Sequence, residues 1–151
     1  MRLRPKKTIR RGASLAEAAL VIPVFLALVV GMIDLGIGVL HWCVLSEAAR
    51  HGARQAIVHG ALAPPSLGNW GPATYGPVAA TDSNPIASAV RTALAGMDPS
   101  TVTVKVEWLD GDNQPDHSVR VTLGHTYKPL TGLIFSSSFS LGAGSTMRIA
   151  H

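Results

Sequence analysis

Residues 12–40 read GASLAEAALVIPVFLALVVGMIDLGIGVL, and between Glu17 and Asp34 this run holds no charged residue. From Ala13 to Ile33 it has about the ~20 residues that a helix needs to cross ~30 Å of hydrocarbon. Six of the 13 basic residues (Arg2, Arg4, Lys6, Lys7, Arg10 and Arg11) precede it, and no acid does. The positive-inside rule then leaves the N-terminus in the cytoplasm and the rest of the chain across the membrane. A cleaved secretory signal shares the basic start and apolar core, but it needs small residues at its cleavage site. The following MIDLGIGVLHW crowds those positions with bulky side chains and Asp34.

The composition agrees with one small anchored domain. The chain has 151 residues, of which 47% are hydrophobic and 15% charged. Its mean hydropathy is +0.28. This excludes a disordered chain, which needs low apolar content and high charge, and it departs from a soluble globule, in which about a quarter of residues are charged. A net charge of +4 and a pI near 9.7 would point to nucleic acid if the charge were spread over a face. It is concentrated in the leader, beyond which acids outnumber bases, so no nucleic-acid partner is expected. The single cysteine, Cys43, excludes an internal disulfide framework and a Cys-rich zinc site. It reads as a small buried apolar residue, or as half of an intermolecular disulfide.

The segment Gly12-Ala13-Ser14-Leu15-Ala16-Glu17 resembles the type IV prepilin processing motif: a basic leader, a glycine before the scissile bond and a glutamate at the fifth mature position. The longer run through SEAARHGARQAIVHG resembles the TadE-like pseudopilins of tight-adherence (Flp/Tad) pilus systems. Those proteins read RG-A-x-x-x-E-x-A-L-x-x-P, then G-x-x-[DE]-x-G, then A-A-R-x-G-A-R. Gly12, Glu17, Pro23, Gly31, Asp34, Gly36, Ala48, Ala49, Arg50, Gly52, Ala53 and Arg54 match. Ala18 departs from the bulky residue usual in major pilins, and His41-Trp42-Cys43 has no counterpart in the pattern.

The resemblance implies cleavage between Gly12 and Ala13 by a prepilin peptidase. It also implies residence in the bacterial cytoplasmic membrane with the head outside, and partnership with other pilin or pseudopilin subunits and the Tad secretion machinery. Glu17 would then pair with the new α-amine of Ala13 on a neighbouring subunit. The alternative is a single-pass envelope protein that is never cut and carries an extracytoplasmic binding module.

Physical reasoning on Glu17 runs parallel to this. With a helix starting at Ala13 at the inner face, Glu17 lies about 6 Å deep and Asp34 about 31 Å along, at a rise of 1.5 Å per residue. Asp34 is thus expected at the outer interface, where it needs no special partner. An acid inside a spanning segment costs on the order of 2.5–3.5 kcal/mol and points to function. The plainer reading makes Glu17 a helix-start acid favoured by the dipole. Pro23, inside the run, removes a backbone hydrogen bond and is expected to kink the helix.

The expected organisation is a leader at 1–12, a long helix over 13–59 (membrane part about 13–34, stalk 35–59) and a head at 60–151. Ala48, Gly52 and Ala56 share one face of the stalk. They allow close packing, either on the protein's own sheet or on another subunit's helix. Arg50, His51 and Arg54 read as a solvated face. The Pro- and Gly-rich stretch 60–84 reads as a long loop that Trp70 and Tyr75 anchor, with partner binding as the alternative. Asn84-Pro85 opens a short amphipathic helix, and Gly96 ends it. Three period-two runs follow, around Val102–Trp108, Ser118–Leu123 and Phe139–Met147. The fold class is therefore α+β: a long N-terminal transmembrane helix entering a pilin-like head of one short helix and a three-stranded antiparallel sheet.

No enzyme signature is present. The acidic loop Asp110–Asp116 has Pro115 where a calcium-binding loop of the EF-hand type needs glycine, so it reads as a hairpin connection. His117 beside it reads as a lone exposed histidine. The serine row Ser136–Ser138 lies outside any nucleophile elbow, and no phosphate-cradling glycine loop occurs. No cofactor and no metal is expected.

Overall fold

The computed structural model describes residues 9–129 and 137–150. Residues 1–8 of the leader, Ser136 and His151 lie outside the described residues. The apolar segment and the stalk form one helix, α1 (Ile9–Ile57), which continues through Pro23. Beyond it come β1 (Tyr75–Ala79), α2 (Pro85–Thr92), a 3-10 turn (Pro99–Thr101), β2 (Val102–Trp108), β3 (Ser118–Tyr127) and β4 (Phe139–Arg148). The strands form one antiparallel sheet in the order β1-β2-β3-β4.

The class is α+β, with a long apolar helix, one short helix and an antiparallel sheet. The sheet has four strands where the sequence pattern predicted three. The additional one, β1, lies within the stretch that read as a loop. Its five residues, YGPVA, contain a proline, which has no N–H to donate and is confined to sheet edges. Gly76 adopts a φ of 87°. A side chain there would place its Cβ 2.2 Å from the Val104 carbonyl oxygen. Such a strand carries no alternation to read, and its pairing slips between Tyr75 and Val78.

β2 and β3 alternate as their sequences do. Val102, Val104, Val106 and Trp108 point inward beside Val119, Val121 and Leu123. Each fully buried valine or leucine contributes roughly 1.5–3 kcal/mol relative to exposure. The cover is the C-terminal half of α1, through Leu45, Ala48, Ala49, Ala53 and Ala56, together with Ile86 and Val90 of α2. Asn84 caps α2, its side chain accepting from the Ile86 N–H at 2.9 Å. Arg91 ties α2 back toward β1, donating to the carbonyls of Ala80 at 3.0 Å and Asp82 at 2.7 Å.

Gly52 is where the helix comes closest. A Cβ added there would stand 2.8 Å from Val90 Cγ2 and 3.3 Å from Val121 Cγ1, whereas one on Gly36 would meet nothing within 4 Å. The substitution Gly52→Val is expected to destabilise the head by about 1–3 kcal/mol through overpacking. Gly36→Ala is expected to leave it unchanged. Thermal unfolding of the detergent-solubilised variants, followed by the near-ultraviolet signal of the tryptophans, measures both.

Candidate functional site

Chemistry-bearing residues gather at three levels along α1. At its start, Gly12 lies within the helix, with nothing among the described residues within 4 Å of a Cβ built on it. Glu17 follows Ala13 by four residues, one turn on and about 6 Å along the axis. From Ser14 to Leu26 every residue is exposed, including Leu15, Leu20, Phe25 and Leu26. Glu17 is exposed among them, and no ion pair reaches it among the described residues. A helix apolar on all faces and covered by nothing is fit for lipid or for other helices, not for water. By length and composition α1 is able to cross a membrane.

The second level is where α1 meets the head. Asp34 is only 4% exposed, and the Tyr127 hydroxyl donates to its backbone carbonyl at 3.0 Å. Asp34, expected to need no special partner, is covered by the β3 end of the sheet. One turn further, Gly38 leaves ordinary contact distance to Tyr127 and Phe139. His41 then packs edge-on against His125 and Tyr127, with ring centroids 5.3 Å and 5.4 Å away. Burial, and secondarily the nearby His125, hold the His41 pKa below its usual value. Burial, then the charge of Asp34, raise that of Tyr127. The His41-Trp42-Cys43 triplet is thereby explained in part, because His41 belongs to this junction. Cys43 is exposed on α1 and not buried.

The stalk forms the third level. Ala48 and Ala56 are fully buried in the head, and Gly52 lies against Val90 and Val121. This stripe faces the protein's own sheet and α2. Arg50 and Glu47 pair on the exposed side at 3.0 Å. His51, expected on that solvated face, instead meets the Ala89 carbonyl of α2 at 3.2 Å.

At the far end of the head, the stretch after α1 is tied down. Trp70 stacks on His59 with centroids 3.8 Å apart. Asn113 donates to the Trp70 carbonyl at 2.9 Å and to Asn69. The Tyr75 hydroxyl donates to Asp82 at 2.8 Å. The acidic loop is occupied by its own chain: Asp110 accepts from the Ser118 N–H and Asp112 from the Gln114 N–H. His117 is not a lone histidine, since it bonds Asp112. Among the described residues no cluster of three or more His, Cys, Asp and Glu could hold a metal ion.

The Asp112–His117 pair makes the loop pH-sensitive. The hydrogen bond to Asp112 raises the His117 pKa above 6.5. The same bond lowers that of Asp112 below 3.8. The histidine's contribution is full below pH 6.5 and is lost as pH rises through its raised folded value. The aspartate's is full above pH 3.8 and is lost as pH falls through its lowered one. Amide exchange at Gln114 and His117, corrected for intrinsic rates, should show protection declining as pH rises beyond the His117 pKa. In Asp112→Asn that decline should vanish.

No curated protein and no solved structure matches the chain. The segment that carries the first two levels and most of the third is the one with a recognised signature: residues 12–54 match the family model described as TadE-like protein.

Proposed function

We propose that the chain is a TadE-like pseudopilin or minor pilin acting in assembly of a Tad (Flp-type) pilus, cut after Gly12 by a prepilin peptidase. The observation that carries the reading is the exposed apolar half of α1, with Glu17 set in it and Gly12 just before it. The match of residues 12–54 to the TadE-like family supports it.

Gly12 supplies a separate physical argument. A glycine inside a helix weakens it by about 1 kcal/mol relative to alanine. At Gly52 the close packing against Val90 and Val121 accounts for the residue. Among the described residues Gly12 meets nothing, so the described fold does not account for it. A peptidase that admits only a small residue before the scissile bond does.

Cleavage there creates an α-amine at Ala13, the cation that a carboxylate inside the apolar layer needs. Pairing of this amine with Glu17 of a neighbouring subunit lets helices leave lipid side by side. A bend at Pro23 suits the passage from bilayer into bundle. The role is structural, and the partners are the prepilin peptidase, other pilin-like subunits and the secretion machinery. The head faces outward across the cytoplasmic membrane, as the basic leader directs.

Mass spectrometry of the protein from cells with an active prepilin peptidase is expected to find a mature N-terminus at Ala13. Gly12→Leu, which meets no steric obstacle in the fold, should leave the chain full-length. Glu17→Gln should still be cut but lose co-purification with pilin partners. An uncut wild-type chain, indifferent to Glu17→Gln, would establish the single-pass binding protein instead.

A further inference from the structure

The membrane-proximal end of the head presents a groove between α1 and β4, lined by Leu35, Gly38, Val39, Trp42, Phe139 and Leu141. No charged side chain lines it. Leu35, Val39 and Trp42 are more than half exposed, and Phe139 is 38% exposed. We infer that this groove is seated in the outer headgroup layer of the bilayer and filled by phospholipid of the outer leaflet. The inference rests on the reading of α1 as a bilayer-spanning helix.

Two observations favour lipid as the occupant. The first is length and continuity. The exposed apolar surface of α1 runs from Leu15 to Leu40, about 38 Å at 1.5 Å per residue. That exceeds the ~30 Å of hydrocarbon but fits the ~40–45 Å that includes the headgroups. The surplus falls on the turns beside β4, so the groove continues the lipid-facing surface without a break. Trp42 at its upper rim is the residue type that settles at this depth.

The second is the placement of charge. Asp34, the acid of α1 at the outer boundary, is 4% exposed and covered by the β3 end of the sheet. An acid facing outward there would repel lipid phosphates, and the head removes it from that surface. Lys128, the residue after Tyr127 at the same end, is exposed and supplies a cation at phosphate level. The head is thus sunk by its edge, and is not a bead held clear of the surface on a stalk.

The native Cys43 is exposed one turn beyond Val39, which permits a direct test on the full chain. A nitroxide is attached to Cys43, or to Leu26→Cys or Gln114→Cys in a Cys43→Ser background. The protein is reconstituted in vesicles of phosphatidylethanolamine and phosphatidylglycerol. Accessibility to oxygen, which partitions into lipid, is compared with accessibility to a water-soluble nickel chelate. The oxygen-to-nickel ratio is expected to be highest at Leu26, intermediate at Cys43 and lowest at Gln114. A Cys43 ratio equal to that of Gln114, with Leu26 still in lipid, would overturn the seat and leave the spanning reading intact. Shielding of Cys43 from both reagents, with cross-linking between copies, would overturn it in favour of a second copy in the groove. An aqueous Leu26 would remove the spanning helix and the seat together.

Discussion

The sheet of the head is held by close contact with a stripe of small side chains on α1, and the rest of the structure depends on that contact. Ala48, Ala49, Ala53 and Ala56 are buried, and Gly52 brings the helix backbone within reach of Val90 and Val121. Because those side chains are short, the valines of β2 and β3 pack almost directly on the helix. No separate layer of large residues is needed to build the core. The same helix is exposed at every residue from Ser14 to Leu26. One continuous rod therefore serves two surroundings, and its sequence changes character where one gives way to the other. Large apolar residues lie on all faces up to about Ile33, and a small-residue face backed by Glu47, Arg50 and Arg54 follows.

Asp34 marks the changeover. A charge at that depth would be costly if it faced lipid, and the sheet reaches down to cover it through Tyr127. His41, His125, Tyr127 and Phe139 then build an aromatic collar at the junction. This collar ties the exposed apolar part of the helix to the folding of the head. The strand end that completes the core is also the one that shields the acid. A TadE-like signature that spans residues 12–54 thus covers the exposed apolar segment, the junction and most of the stalk. The sheet lies outside it.

The opposite end of the head is organised by polar contacts instead. Asn113, buried at the β2–β3 connection, holds the backbone of Trp70, and Trp70 stacks on His59 at the end of the stalk. In the acidic loop Asp110 and Asp112 accept from backbone N–H groups, and Asp112 also bonds His117. These are the contacts that turn a Pro- and Gly-rich stretch into an ordered part of the head without regular secondary structure over most of its length.

The long helix, the amphipathic second helix with its Asn84 cap, and the alternating strands β2, β3 and β4 were legible in the sequence because each is set by local periodicity. Four features were not legible, and the reason is common to all. β1 lacks alternation, and only pairing with β2 makes it a strand. The cover over Asp34, the contact of His51 with α2 and the bond of His117 to Asp112 join groups whose meeting depends on how the elements pack. Ala48, Gly52 and Ala56 were recognisable as a stripe that allows close approach. Which partner approaches is decided by the sheet, because apolar strand faces folded from the same chain reach the stripe at far higher effective concentration than any neighbour. By itself the sequence determined where the chain is apolar, where it is charged and which elements it forms. Only the tertiary structure decided which of those surfaces are spent inside the molecule and which stay exposed.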